Sequence, residues 1–228
     1  MKKLCVALLL LWPCLFSWSQ QLNQVTFSGG STLSYFSFLT DQGVLIRISD
    51  DGKLMEWGTE VQSERSSNYY APKLLPFTGR VDYYGPETVD SIVRGKVRNI
   101  GSCMISYYGA YEKDAKPGKI KSIGIAGLDY YTQFENAAFK GKLRFAGSLV
   151  LEYYNSIENE AFRGKLKSVG STRIQYHSTF DDKLIQGKIK SIGPVVYTWG
   201  TSLDARFKGS LKSGIYRQNI NGIIYILR

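Results

Sequence analysis

The feature that most constrains the fold is a unit of 23 residues that recurs without gaps through the second half of the chain. Five rows open with Gly-Lys, at Gly95, Gly118, Gly141, Gly164 and Gly187. A sixth row begins one residue early at Gly209, and a degenerate row precedes the first near residue 70. Self-similarity at this period indicates a repeat protein, in which each unit packs mainly on its neighbours.

Further columns of the repeat have a fixed chemistry, with glycine at the seventh place of each row, an aromatic residue at the thirteenth and a carboxylate at the eighteenth. The aromatic column is Tyr107, Tyr130, Tyr153, Tyr176 and Trp199. The acidic column is Glu112, Glu135, Glu158, Asp181 and Asp204. Because an active site is normally a singular arrangement, a carboxylate copied five times is expected to be solvated or to cap a loop.

Each row is predicted to form a β-hairpin. In the row that starts at Gly141, two runs of aliphatic and aromatic residues flank Gly147, and neither run has a helical period. If each row were instead one coil of a parallel solenoid, Lys119 and Lys142 would stack about 4.8 Å apart, which is unfavourable for like charges. In a hairpin array they lie about 9.5 Å apart. The sequence therefore predicts an all-β fold in which 23-residue hairpins form an extended antiparallel sheet, with a parallel β-solenoid as the alternative.

The alternation along these strands separates two faces of the sheet. The third, eleventh and thirteenth places, for example Ile120, Leu128 and Tyr130, are predicted to form the core. The opposite face carries basic side chains beside tyrosine rings, and we interpret it as a candidate ligand-facing surface. It consists of Lys119, Lys121, Tyr131, Lys142, Arg144, Tyr154, Lys165 and Lys167. Pairing within a hairpin further predicts Lys121 opposite Asp129 and Arg144 opposite Glu152.

The chain before the repeats also has the composition of β-strands. Residues 25–27, 33–36 and 44–48 are short apolar or alternating runs, so residues 20–68 are predicted to form a β-rich region that caps the N-terminal end of the array. Residues 69–228 are predicted to hold the tandem repeats. The turn signal Asn221-Gly222 precedes an apolar closing strand over residues 223–227.

The N-terminus has the order of a secretory signal. Two lysines precede an apolar stretch over residues 4–16, and small residues follow at Ser17 and Ser19, which predicts a cleaved signal peptide over residues 1–19. A lipoprotein anchor at Cys14 is the alternative, although Trp12 and Pro13 suit it poorly. The leader resembles those of Gram-negative exported proteins, so we expect a secreted, periplasmic or cell-surface protein. No later segment approaches 18 apolar residues, and no transmembrane segment is expected after cleavage.

The residue types that carry most enzyme chemistry are scarce. Cleavage removes Cys5 and Cys14, which leaves Cys103 as the only thiol and rules out an intramolecular disulfide. The single histidine, His177, replaces a tyrosine in its column. We therefore expect no catalytic residue, no metal site and no cofactor. A hydrolase that acts through carboxylates alone stays open as an alternative, because acidic residues are plentiful.

Charge and architecture together give a functional expectation. The formal net charge is +10 and falls to +8 once Lys2 and Lys3 leave with the signal peptide, which favours anionic partners or serves solubility. The leading hypothesis is an exported, non-catalytic structural or interaction protein of the cell envelope or exterior. Its partner is unknown; an envelope protein or an acidic polysaccharide would fit, whereas nucleic acid does not suit an exported chain. A glycan or anionic-polymer binding module is the alternative.

Overall fold

The structure is a computed structural model that describes residues 21–61, 73–112 and 116–228. The predicted signal peptide and the alternative anchor at Cys14 lie outside the described residues. So does the segment 62–72, which contains the predicted boundary between residues 68 and 69. The described residues form strands, turns and loops and contain no helix, which confirms the all-β prediction.

Seven strands from the two ends of the chain form one sheet, named here the cover sheet. Five come from the N-terminal region: β1 (Gln21–Ser28), β2 (Thr32–Leu39), β3 (Leu45–Ile48), β4 (Leu54–Glu60) and β5 (Leu74–Pro76). Eleven strands from the repeats form a second sheet, named here the repeat sheet. A two-stranded sheet follows, made of β17 (Thr198–Trp199) and β18 (Leu211–Ser213). The chain ends in β19 (Arg217–Ile220) and β20 (Ile223–Leu227), and the order in the cover sheet is β19-β20-β1-β2-β3-β4-β5.

The repeat sheet has its strands in chain order, and each neighbouring pair is antiparallel. Its strands are β6 (Val81–Tyr83), β7 (Val97–Ile100), β8 (Cys103–Tyr107), β9 (Ile120–Ile123), β10 (Ala126–Tyr130), β11 (Leu143–Ala146), β12 (Leu149–Tyr153), β13 (Leu166–Val169), β14 (Thr172–Tyr176), β15 (Ile189–Ile192) and β16 (Val195–Val196). Each complete row supplies two strands joined by a tight turn. This arrangement confirms the hairpin array and shows that the solenoid alternative is wrong.

The turn inside each hairpin explains the glycine column at the seventh place. Gly124 and Gly147 have φ values of 55° and 62°, in the left-handed region that side chains with a Cβ rarely adopt. The turn brings Ile123 opposite Ala126 within one row, and the next pairing joins Tyr130 to Leu143 of the following row. The sheet is thus a continuous meander with a period of two strands.

The two large sheets pack face to face around one hydrophobic core. On the repeat sheet, Ile120, Leu128 and Tyr130 are buried, as the alternation predicts. On the cover sheet, Phe36 and Phe38 belong to the same buried cluster. The inner face of the repeat sheet is apolar along its whole length, so another layer must cover it along that length. The cover sheet is that layer.

Hydrogen bonds between the sheets show how far the cover extends. At one end the backbone N–H of Ser102 donates to the Gln42 side chain at 3.1 Å. Near the other end the N–H of Ile189 donates to the carbonyl of Gly30 at 2.8 Å. The N-terminal strands therefore lie along the array and do not cap its end as expected. The predicted closing strand β20 also pairs with β1, in parallel, and so completes the cover sheet.

Candidate functional site

The basic residues at the fourth place of the rows form an outer ladder on the face away from the core. Lys121, Arg144 and Lys167 each pair with the acidic residue of the preceding row and lie over the tyrosine at the fourteenth place of that row. The ion pairs are Lys121 with Glu112 at 3.2 Å, Arg144 with Glu135 at 3.4 Å, and Lys167 with Glu158 at 3.1 Å. The distances from cation to ring centroid are 5.3 Å to Tyr108, 5.3 Å to Tyr131 and 5.2 Å to Tyr154. The outer ladder therefore joins successive rows.

The ion pairs that were predicted within a hairpin are wrong. In the structure Phe145 lies opposite Val150, and Arg144 pairs with Glu135 of the preceding row instead of Glu152. The reason is the loop between hairpins, which carries the acidic place back beside the next strand. Asp129 likewise pairs with Lys116, at 2.6 Å.

The lysines at the second place form an inner ladder at the margin of the core. They are Lys96, Lys119, Lys142, Lys165 and Lys188. Each ammonium lies over the aromatic ring of the thirteenth place, at 4.4–5.3 Å from the centroid. The first four donate to the carbonyl of the glycine that opens the next row, for example Lys165 to Gly187 at 2.6 Å. Neighbouring cover-sheet groups complete the environment: Lys142 lies 3.0 Å from Asp50, and Lys188 donates to the carbonyl of Gly29.

Partial burial changes the acidity of the inner ladder. Loss of solvent disfavours the charged ammonium, so the pKa values of Lys96, Lys119 and Lys188 fall below the ordinary lysine value. For Lys165, burial and the neighbouring charge of Lys188 lower the pKa to about 8. These lysines are held between the two sheets and differ in environment from the outer ladder.

The eight predicted surface residues are therefore divided between two ladders. Lys119, Lys142 and Lys165 lie in the inner ladder; Lys121, Tyr131, Arg144, Tyr154 and Lys167 lie in the outer ladder. The tyrosine rings are already in contact: Tyr131 has Arg144 over its face and Phe139 at 4.6 Å, and its hydroxyl donates to the carbonyl of Leu151 at 2.9 Å. Their role as a ligand-facing surface stays a prediction.

The acidic column has internal partners in the loops. Glu158 accepts a hydrogen bond from the backbone N–H of Asn155 at 2.6 Å, and Asp204 accepts one from the N–H of Thr201 at 2.7 Å. Asp204 also pairs with Lys212 at 2.7 Å. The carboxylates therefore hold the backbone of the loop and link it to a strand, which is the capping role expected for a repeated acid.

The thiol and the imidazole have structural surroundings. Cys103 is buried, and burial raises the pKa of its thiol to about 11, so near neutral pH it carries almost no thiolate, the form that acts as a nucleophile. His177 Nδ1 lies 3.4 Å from Asp181 within the same loop. Among the described residues, no group of three or more histidine, cysteine, aspartate or glutamate side chains is arranged to hold a metal ion.

A further column, which sequence reasoning missed, is the most exposed feature of the repeat. It occupies the seventeenth place of each row, immediately before the acidic column, and we name it the apolar row. Its members are Tyr111, Phe134, Ile157, Phe180 and Leu203. Each side chain is between 81% and 97% exposed. An apolar residue conserved in character in all five rows but outside both strands was the signal that could have identified it.

The loops that carry the apolar row are fixed to one another. The side chain of Asn159 accepts from the backbone N–H of Thr179 in the next row at 3.1 Å and donates to the Thr179 hydroxyl at 2.8 Å. Asn136 makes the same pair of hydrogen bonds to Ser156, and the backbone N–H of Ser202 donates to Asp182 at 3.0 Å. Because the sixteenth place is held in this way, the apolar side chain that follows it projects from an ordered loop.

The last part of each loop, beyond the acidic column and Asp182, is basic. Residues 137–140, 160–163, 183–186 and 206–208 contain five cations and one carboxylate, Glu160. The cations are Lys140, Arg163, Lys183, Arg206 and Lys208, and all are exposed. None has an ion pair among residues 21–61, 73–112 and 116–228. The loop edge of the repeat sheet thus combines protruding apolar side chains with free positive charge.

Searches against protein-family models, curated proteins and solved structures find no match to this chain. In the part of the chain that the structure describes, no helix is long and apolar enough to cross a membrane.

Proposed function

We propose that the protein is an exported, non-catalytic interaction protein that binds its partner through the loop edge of the repeat sheet. The observation that carries the proposal is the apolar row, five large side chains in register that are at least 81% exposed. Export rests on the predicted signal peptide.

Exposed apolar side chains are ordinary when they are scattered, but an aligned set of them marks an interaction surface. Here the same exposed column recurs in every row, while the neighbouring columns are buried or joined by hydrogen bonds. Repeat proteins bind through extended surfaces of this kind, because equivalent side chains are presented at regular intervals.

The glycan-binding alternative has less support from the contacts. Stacking on a sugar requires a free ring face, whereas Arg144 covers the ring of Tyr131 and Lys167 covers the ring of Tyr154. The hydrolase alternative requires a pair of carboxylates at one site. Four of the five carboxylates of the acidic column, all but Asp181, instead pair with a basic residue of the next row.

The proposal is tested by co-sedimentation of the purified protein with the cell-envelope fraction of the organism that encodes it. A triple variant, Phe134→Ser, Ile157→Ser and Phe180→Ser, removes the centre of the apolar row. The matched control, Met104→Ser, Val150→Ser and Val196→Ser, removes three exposed apolar side chains on the outer face of the same sheet.

We expect the apolar-row variant to lose most of its envelope binding and the control to keep it. Both should unfold at nearly the same temperature as the parent protein, since substitutions of exposed side chains are usually within about 0.5 kcal/mol of neutral. Equal binding by the two variants would contradict the proposal.

A further inference from the structure

We infer that the partner of the loop edge is the surface of an anionic lipid bilayer. The inference rests on the proposed function, which it deepens by naming the class of partner. The apolar row would insert between lipid headgroups, and the flanking cations would contact their phosphates.

The shape of the loop edge suits a soft partner. One row corresponds to two strands, about 9.5 Å, so the five side chains extend over about 38 Å. Because each side chain is at least 81% exposed, nothing beside it forms the wall of a groove. A folded protein usually needs complementary packing, whereas the headgroup region of a bilayer deforms around protruding side chains.

The charge of the loop edge selects the sign of the partner. Each member at the centre of the apolar row is followed within three to six residues by an exposed cation: Lys140, Arg163 or Lys183. Most carboxylates of the same loops are held internally: Glu135 and Glu158 pair with the outer ladder, and Asp182 accepts from the backbone N–H of Ser202. Glu160 is the exposed exception. A bilayer rich in anionic headgroups attracts such a surface over about a Debye length.

The same charge disfavours a second copy of the chain as the occupant. Two copies that met through their apolar rows would bring like charges together, because every free cation of the loop edge would face an identical edge. Like-charge juxtaposition opposes association. The protruding, ungrooved row would also bury little area against its own copy.

Order in the loops favours binding by reducing its entropic cost. The loop backbone is already held by hydrogen bonds from row to row, such as that between Asn159 and Thr179. Little conformational freedom is therefore lost when the apolar side chains enter the interface.

The test uses sedimentation with two kinds of vesicle, one of phosphatidylcholine alone and one of equal parts phosphatidylcholine and phosphatidylglycerol. The proteins are the parent chain, the apolar-row variant and the outer-face control described above, with a charge variant, Lys140→Gln, Arg163→Gln and Lys183→Gln. All share residues 1–103, so any contribution of the leader is common to them.

We expect the parent protein to prefer the anionic vesicles. The apolar-row variant should lose at least about tenfold in partition coefficient, and the control should stay within about twofold. The charge variant should lose most of the preference for phosphatidylglycerol and most of the dependence on salt.

A second measurement does not depend on comparing multiple substitutions. Ile157→Trp places a fluorophore in the apolar row, and Val150→Trp places one on the outer face. Anionic vesicles should shift the emission of the first to shorter wavelength and leave that of the second unchanged.

The remaining outcomes overturn the inference in distinguishable ways. If the parent protein binds the envelope fraction through the apolar row but does not bind vesicles, the partner is not lipid and the proposed function stands. If the apolar-row variant and the control bind both the envelope fraction and the vesicles as the parent does, both the inference and the proposed function fail.

Discussion

The two large sheets share one core but are built from different kinds of sequence. The repeat sheet uses strands of at most five residues, such as β11 and β12, and fills its inner face with the same places of every row. The cover sheet has no internal period, and its first two strands are eight residues long. The repeat sheet is therefore periodic in sequence, whereas each strand of the cover sheet has its own sequence.

The difference shows why this array has a defined length. Each hairpin contacts its neighbours in an equivalent way, so these contacts alone would allow rows to be added without limit. The cover sheet contacts the array from Ser102 to Ile189, and the rows in between bury their inner face against it. The aperiodic layer thus determines how many rows can bury their inner face.

The largest expected effect comes from replacing the same residue type in the shared core and on the loop edge. Phe36 is fully buried on the cover sheet, so Phe36→Ala should destabilise the fold by about 3–5 kcal/mol. Phe134 is 81% exposed, and Phe134→Ala should change the free energy of unfolding by less than about 0.5 kcal/mol. Urea unfolding measures both. Equal costs would mean that the two sheets do not share a core.

A smaller effect isolates one contact between the sheets. Gly52 and Gly95 have similar φ values, 82° and 79°, but a Cβ on Gly52 would lie 2.2 Å from the hydroxyl oxygen of Tyr130, whereas one on Gly95 would meet nothing within 4 Å. Both alanine variants should lose about 1–2 kcal/mol of folding stability, because a residue with a Cβ is strained at a positive φ. Gly52→Ala should lose a further 1–3 kcal/mol or so from overpacking. Thermal unfolding of the two variants gives the difference, which would vanish if the cover sheet lay elsewhere.

The hydrogen bonds between loops belong to the periodic layer alone. Asn159→Ala removes the link to Thr179, whereas Asn155→Ala removes hydrogen bonds only within one loop, to Ile157 and Glu158. Each variant should cost about 1–2 kcal/mol. Hydrogen exchange separates them, because the N–H of Thr179 should exchange faster only in Asn159→Ala. Unchanged exchange at Thr179 in both would show that the row-to-row link is not formed.

The last expected effect is a dependence on pH and concerns the margin where the two sheets meet. The pKa of Lys165 is lowered to about 8 in the folded protein, so the unfolded chain binds more protons between pH 8 and about 10.5. Stability should therefore rise with pH from about 8 until the tyrosines ionise. Burial raises the pKa values of Tyr153 and Tyr176, so their ionisation favours the unfolded chain above about pH 10 and stability should then fall.

The variant Lys165→Met tests this assignment, because its stability should be flatter between pH 8 and 10. The outer-ladder variant Lys167→Met is the matched control and should keep the parent profile. Urea unfolding across this pH range measures the free energy of unfolding. If that free energy rose with pH in Lys165→Met as it does in the parent, the assignment to Lys165 would be contradicted.

The repeat itself could be predicted from the sequence, because columns at a fixed period reveal both the hairpins and the buried places such as Ile120 and Tyr130. The position of the cover sheet could not be predicted, because the sequence of an aperiodic strand such as β1 does not indicate which face of the array the strand will contact. The split of the eight predicted surface residues also escaped prediction. Lys119 and Lys121 are two residues apart and would share a face in a regular strand, but Lys119 stands just before the strand and its ammonium turns to the margin of the core.

The sequence by itself determined the period, the all-β character and the two faces of the hairpins, because these depend on local alternation and on glycine at the turns. Only the tertiary structure decided which side chains remain exposed. Ion pairs and ring contacts engage the basic and acidic columns, and these form only when residues about 9 to 13 apart in the chain become neighbours in the sheet. The apolar row has no such partner in the described chain, and that difference distinguishes it from the columns that stabilise the fold.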